Sequence, residues 1–220
     1  MTARLRAAIV ALAAALPCGL LGSSVSERPP DGIDLAGRAL AGHAARVALA
    51  FTASCWWQSL VSLGVAAIVL AIAVPAWRAR VIFALITTLA AWKASDAIKD
   101  VFGRVRPEYW TLHHETSASY PSGHAMFAVV VYGLWAYYIA TSTIAQPLRA
   151  VLACACALWG IGVIWSRLAL GAHYVTDVIG GVLFGIMMLA IATSITRGVP
   201  PLVIPSNVEG PPQPFPIVRE

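Results

Sequence analysis

The chain has 220 residues, 59% of them hydrophobic and 11% charged, with a mean hydropathy of +0.77 and a formal net charge of +5. Soluble domains carry about 25% charged residues, so this composition excludes a soluble globule and requires a membrane as solvent. The excess of Arg and Lys is what cytoplasmic loops of a membrane protein accumulate, and nucleic-acid binding is not expected.

Charged side chains are missing between Arg46 and Arg78, Arg80 and Lys93, Glu115 and Arg149, Arg149 and Arg167, and Asp177 and Arg197. A spanning helix needs about 20 mostly apolar residues, and several of these gaps are long enough. The expected fold class is all-α, a polytopic membrane helix bundle with about six transmembrane helices. The transmembrane domain is expected over residues 1–198. From 199 to 220 a tail with Pro200, Pro201, Pro205, Pro211, Pro212, Pro214 and Pro216 is read as disordered and cytoplasmic.

In chain order, Arg4 and Arg6 precede the apolar run Ala7 to Val25, read as a retained first helix in preference to a cleaved signal peptide. Pro17, Cys18 and Gly19 are expected to break its middle. Ser26 to Asp34, with Pro29-Pro30, is a loop. Leu35 to Ala53 is Ala-rich and helical, an interfacial amphipathic helix running into the membrane. The second span is expected from Gln58 to Trp77 and the third from Val81 to Ile98, joined by the basic turn Trp77-Arg78-Ala79-Arg80. A polar loop from Lys99 to Tyr120 follows. The fourth span covers Gly123 to Ala140, the fifth Leu148 to Trp165 and the sixth Tyr174 to Ile195. A polar turn from Arg167 to His173 joins the last two. Trp56, Trp57, Trp77, Trp110 and Trp165 fall near these ends, as an aromatic belt requires. Gly180, Gly181 and Gly185 are small enough for close helix approach on the last span. Cys154 and Cys156 are read as small core residues, and a Cys18–Cys55 disulfide is allowed but not required.

Arg4, Arg6, Arg78, Arg80, Arg149 and Arg197 share one side if the spans alternate, which marks that side as cytoplasmic. The Lys99–Tyr120 loop and the Arg167–His173 turn then share the external side, periplasmic in a bacterial inner membrane.

Ionisable residues at membrane depth are costly and mark function. They form three clusters here: Lys99, Arg104, Arg106 and Pro107; then Pro121-Ser122-Gly123-His124; then Ser166-Arg167 with His173 and Asp177. Lys99, Arg106 and Arg167 supply three cations, two with bidentate forks for phosphate oxygens. Ser122 and Gly123 open a helix whose free N–H groups favour an anion. His173 and Asp177 are four apart, so a helix puts them on one face. There the carboxylate holds one imidazole nitrogen protonated while the other attacks phosphorus. His124, on another helix, is free to protonate a leaving oxygen.

Lys99, six residues, Arg106-Pro107; Pro121-Ser122-Gly123-His124; and Ser166-Arg167, five residues, His173, three residues, Asp177 together resemble the tripartite signature of the type-2 phosphatidic acid phosphatases, also called lipid phosphate phosphatases. The resemblance implies a phosphohistidine intermediate on His173, oriented by Asp177, with His124 as acid for the leaving group and then base for water. It implies phosphate binding by Lys99, Arg106, Ser122, Gly123 and Arg167, and activity without metal or other cofactor. The family's soluble relatives, the vanadium haloperoxidases, are excluded by hydropathy. Arg104 is read as an auxiliary phosphate contact, and His113, His114 and Glu115 as loop residues near the substrate.

The expected partners are therefore a lipid phosphate or pyrophosphate substrate and the surrounding membrane lipids. Undecaprenyl pyrophosphate, phosphatidic acid, phosphatidylglycerol phosphate and the phosphates of lipid A all remain open as substrates, because the signature reads phosphate and not the lipid. A phosphotransferase with the same catalytic residues is an alternative. A non-enzymatic anion-binding membrane protein is another, opposed by the lack of a polar path across the spans.

Overall fold

The computed structural model describes residues 2–109 and 116–196, and every regular element among them is helical. The proline-rich tail, Trp110, His113, His114 and Glu115 lie outside the described residues. Five helices are long and apolar enough to cross a membrane: Ala3–Ser26, Pro75–Phe102, Gly123–Ala140, Gln146–Ala169 and Val175–Thr196. A sixth span arises if the bent pair Ala45–Ala53 and Trp57–Ala73 counts as one. The six-helix reading therefore stands. The outward faces carry exposed Leu12, Ile72, Ile86, Val151 and Ile161, side chains suited to lipid and unsuited to water.

Helix α1 (Ala3–Ser26) starts where Thr2 Oγ1 accepts the Leu5 amide. It runs unbroken through Pro17, so the expected break is absent. A proline removes a single rung of the hydrogen-bond ladder, which neighbouring helices in a membrane help a span to tolerate. α1 makes the most extensive helix contact in the bundle, against α9 (Val175–Thr196). Gly22 lets α1 also approach Phe102 and Tyr120, whose rings a Cβ there would meet. The Tyr120 hydroxyl donates to the Cys18 carbonyl at 2.5 Å. Cys18 and Cys55 are both buried free thiols, so no disulfide joins them.

The segment expected as one helix from Leu35 to Ala53 is in fact divided. α2 (Gly32–Gly37) leads through a 3-10 turn, Arg38–Leu40, to Gly42 at φ 84° and Ala44 at φ 51°. Those left-handed conformations reverse the chain before α3 (Ala45–Ala53). The Gly42 amide then donates to Ala169 at 2.9 Å, and α3 lies along α8 (Gln146–Ala169) with Ala48 fully buried. α4 (Trp57–Ala73) turns away from α3 by 47°. Trp56 and Trp57 therefore sit at this bend.

α5 (Arg78–Phe102) extends a turn beyond the expected Ile98 and stops at Gly103, whose φ of 58° suits glycine. Lys99 thus belongs to the last helical turn. The fourth span is α6 (Gly123–Phe127), a π-helical stretch Ala128–Tyr132, and α7 (Gly133–Ala140). α8 also outruns its expected end, carrying Ser166 and Arg167 on helix instead of in a turn.

α6 and α9 approach closely because Gly181 faces the Ser122 carbonyl and Gly185 faces Val129 and the Met126 carbonyl. Small residues allow backbones to meet in this way, as expected for Gly180, Gly181 and Gly185. Met126, Val130, Val163 and Phe184 form the core between these helices. The end of α5, the start of α6, the end of α8 and the start of α9 consequently converge at one end of the bundle. Arg80, over the ring of Tyr138, and Arg149, bonded to the Ser142 carbonyl, lie at the other.

Candidate active site

His173 precedes the first turn of α9 and is 2% exposed. Its Nε2 lies 3.2 Å from a terminal nitrogen of Arg106. A guanidinium only donates, so Nε2 presents its lone pair and we assign the ring proton to Nδ1. Nδ1 faces Ser119 Oγ at 3.4 Å and Asp177 Oδ2 at 3.6 Å. The Ser119 hydroxyl donates to the same Oδ2 at 2.5 Å, and the Tyr174 amide donates to it at 2.9 Å. Asp177 is fully buried. The i, i+4 pairing of His173 and Asp177 is thus formed, with Ser119 bracing it.

The Arg106 fork is held by carbonyls. Nε donates to Ser117 O at 2.7 Å, and the terminal nitrogens reach Ala172 O, Ala118 O and Ser117 Oγ. Lys99 Nζ donates to Ser117 Oγ at 3.1 Å, which brings the two cations onto one hydroxyl. Arg167 projects from α8, almost wholly buried, and donates to Thr52 Oγ1 at 2.6 Å. Ser122 caps α6 by accepting the Ala125 amide, and its own amide donates to the Asp177 carbonyl. Gly123 must lack a side chain, since a Cβ there would stand 3.1 Å from Ser95 Oγ and 3.7 Å from Lys99 Nζ. His124 lies within electrostatic reach of Arg167, His173, Lys99 and Arg106. Its Nε2 is buried and has no hydrogen-bond partner among the described residues.

Arg104 goes beyond the sequence expectation. It is buried, and it donates to Asp177 Oδ1 at 2.6 Å, to Thr176 Oγ1 at 2.7 Å and to Asp34 Oδ2 at 2.7 Å, with its guanidinium over the Tyr174 ring. Its terminal nitrogens thus go to two carboxylates and a hydroxyl behind His173, a role the sequence reading of Arg104 did not include. Burial acts to lower its pKa, but Asp177 and Asp34 outweigh that and raise it.

Asp34, Thr52, Ser117 and Ser119 were not anticipated. Thr52 shares its apolar stretch with Ser54, and Asp34 closes a loop some 70 residues before its partner. Neither position has a spacing signal. Ser119 stands two residues before the Pro121-Ser122-Gly123-His124 cluster, and that adjacency was the available hint.

A membrane-spanning bundle that gathers three cations, a helix N-terminus and a carboxylate-braced histidine at one end defines a phosphoryl-handling membrane protein. The chain belongs to the PAP2 superfamily, which matches residues 77–199. It is 38% identical over 99 residues to phosphatidylglycerophosphatase B of Bacillus subtilis (strain 168), a stretch covering 43% of this chain and 47% of that protein. It is 37% identical over 90 residues to phosphatidylglycerophosphatase B of Escherichia coli (strain K12), covering 40% of this chain and 33% of that protein. The matched stretches are thus less than half the length of these relatives. In fold it is similar to the crystal structure of a transmembrane PAP2-type phosphatidylglycerolphosphate phosphatase from Bacillus subtilis. The TM-score is 0.73 at 23% identity, over 86% of this chain and 96% of that one.

Proposed function

We propose that this protein is a metal-independent lipid phosphate phosphatase working through a phosphohistidine at the periplasmic face of a bacterial inner membrane. The observation that carries the reading is the orientation of His173: Nε2 against the Arg106 fork, Nδ1 toward Ser119 and Asp177. That is the arrangement a nitrogen nucleophile requires.

The phosphate group sits among Lys99, Arg106, Arg167 and the α6 N-terminus formed by Ser122 and Gly123. These cations neutralise the charge on its equatorial oxygens. Nε2 of His173 attacks phosphorus, and the bond to the lipid oxygen breaks. His124 Nε2 delivers a proton to that oxygen, releasing the lipid alcohol, or the lipid monophosphate if the substrate is a pyrophosphate. Asp177 stabilises the positive imidazole. His124, now neutral, takes a proton from water, which displaces His173 and frees inorganic phosphate.

The relatives' names favour phosphatidylglycerol phosphate as substrate, and undecaprenyl pyrophosphate and phosphatidic acid share the same recognised group. The external placement is supported by Arg78, Arg80 and Arg149, which begin α5 and α8 at the end opposite the site. Retention of α1 is supported by its packing along α9.

The test is phosphate release by detergent-purified protein with EDTA present, comparing wild type with His173→Ala on those three lipids. Release by wild type that vanishes in the variant is expected. Release that survives His173→Ala, or that EDTA abolishes, overturns the mechanism.

A further inference from the structure

We infer that Asp34, which lies outside the stretch matched by the family, is a positioning residue that acts through Arg104 on Asp177 and so on His173. The inference rests on the function proposed above and names a further participant in it.

Asp34, Arg104 and Asp177 are respectively 2%, 4% and 0% exposed and form one continuous chain of charge. Arg104 donates to Asp34 Oδ2 at 2.7 Å and to Asp177 Oδ1 at 2.6 Å. Asp34 Oδ1 accepts the Thr176 amide at 2.9 Å and the Thr176 hydroxyl at 2.8 Å, which ties α2 to the first turn of α9. That turn carries Asp177, and it follows directly on His173.

Two consequences follow from elementary electrostatics. First, Arg104 occupies Oδ1 of Asp177, so Oδ2 is the oxygen left to Ser119, the Tyr174 amide and His173. Fixing Arg104 from behind with Asp34 fixes which oxygen faces the imidazole. Second, Arg104 and Asp177 alone sum to zero charge. With Asp34 the buried trio carries net −1, which matches the positive charge that His173 gains when Nε2 bonds phosphorus while Nδ1 keeps its proton. Without Asp34, the buried cation would draw the Asp177 charge away from the ring at the stage that needs it.

A structural ion pair and a positioning residue differ in what they couple to. The experiment is a double-mutant cycle of Asp34→Asn and Asp177→Asn, read as kcat and KM for phosphate release. It is paired with vanadate binding followed by vanadium NMR, because vanadate occupies a phosphoryl-transfer site without needing any lipid. Asp34→Asn is expected to lower kcat by about tenfold to a hundredfold, the scale of a lost hydrogen bond to a charged group. KM should stay within about twofold, since ground-state phosphate contacts are untouched. In the Asp177→Asn background the same change should lower kcat by less than about twofold, because its route is already cut. Vanadate binding should weaken in Asp34→Asn.

Wild-type kcat in Asp34→Asn, or effects of the two changes that simply multiply, overturns the inference and leaves the proposed function standing. A wild type that binds vanadate, more weakly with Asn at 34, yet hydrolyses none of the lipids overturns the proposed function and upholds the positioning role. A wild type that does neither overturns both. If Asp34→Asn does not accumulate in membranes, Asp34→Glu replaces it, keeping all three charges while the longer side chain displaces the carboxylate from its bonds to Arg104 and Thr176. A kcat reduced several-fold at constant KM upholds the inference, and an unchanged kcat overturns it.

Discussion

The Arg106 guanidinium lies 3.2 Å from Nε2 of His173, on the ring nitrogen opposite the one that faces Asp177. In the proposed reaction one residue then addresses both the nucleophile and the group it attacks. Arg106→Lys keeps the charge but loses the planar fork, and lysine cannot hold Ser117 O and Ala172 O while meeting phosphate. We expect kcat/KM to fall by about tenfold to a hundredfold, mostly through KM. Steady-state phosphate release measures this, and a lysine variant as good as wild type would show that the fork is unnecessary.

In the first, phosphohistidine-forming step, His124 should matter only where a leaving oxygen needs a proton. His124→Ala is expected to lower kcat on lipid phosphates by about 10²- to 10⁴-fold, the usual scale for general acid–base catalysis. An aryl phosphate ester with a nitrophenolate leaving group needs no such proton. With it the variant should form phosphohistidine normally and then stall, since the base for water is also gone. Rapid quench and acid-labile phosphate counting would see the intermediate accumulate. An equal loss on both substrates in the rate of phosphohistidine formation would remove His124 from the acid role.

Ser119 braces the nucleophile's carboxylate through its 2.5 Å bond to Asp177. Ser119→Ala leaves that oxygen with the Tyr174 amide and the distant imidazole. A cost of about 1.5–3 kcal/mol, expressed in kcat with KM held, is expected for a hydrogen bond to a charged group. A change confined to KM would instead put Ser119 on the substrate.

Gly181 lets α9 touch the turn before α6. A Cβ there would meet the Ser122 carbonyl, which is backbone and cannot swing aside. Gly181→Ala should therefore destabilise the bundle by about 1–3 kcal/mol and displace the Ser122–His124 segment. Gly64→Ala is the control, because its Cβ would make only an ordinary 3.7 Å contact with Leu85. Thermal unfolding in detergent should separate the two, and equal melting temperatures would contradict the close approach.

The spans were legible because membrane insertion is a local demand: about 20 apolar residues suffice, whatever their neighbours do. Lys99, Arg106, His124, Arg167, His173 and Asp177 were legible for a related reason, since charge in an apolar chain is costly and needs a purpose. Sequence also located Gly181 and Gly185, as small residues on a long helix. It misjudged Leu35 to Ala53, where the left-handed turn at Gly42 and Ala44 goes with packing against α8 and not with helical propensity. It left out the bonding of Arg104 to Asp34 and Asp177, because a cation two residues from Arg106 reads as another phosphate ligand until its partners are known.

By itself, then, the sequence determined the class of fold, the family signature, and the set of ionisable residues that the structure gathers at one end of the bundle. Those are properties of single residues and short spacings in an apolar solvent. Only the tertiary structure decided which nitrogen of His173 faces Arg106, that Ser119 stands beside Asp177, and that Asp34 closes the circuit through Arg104. Directional hydrogen bonds act over about 3 Å between residues tens of positions apart, and only the packing of α1, α2, α6 and α9 brings those residues within that range.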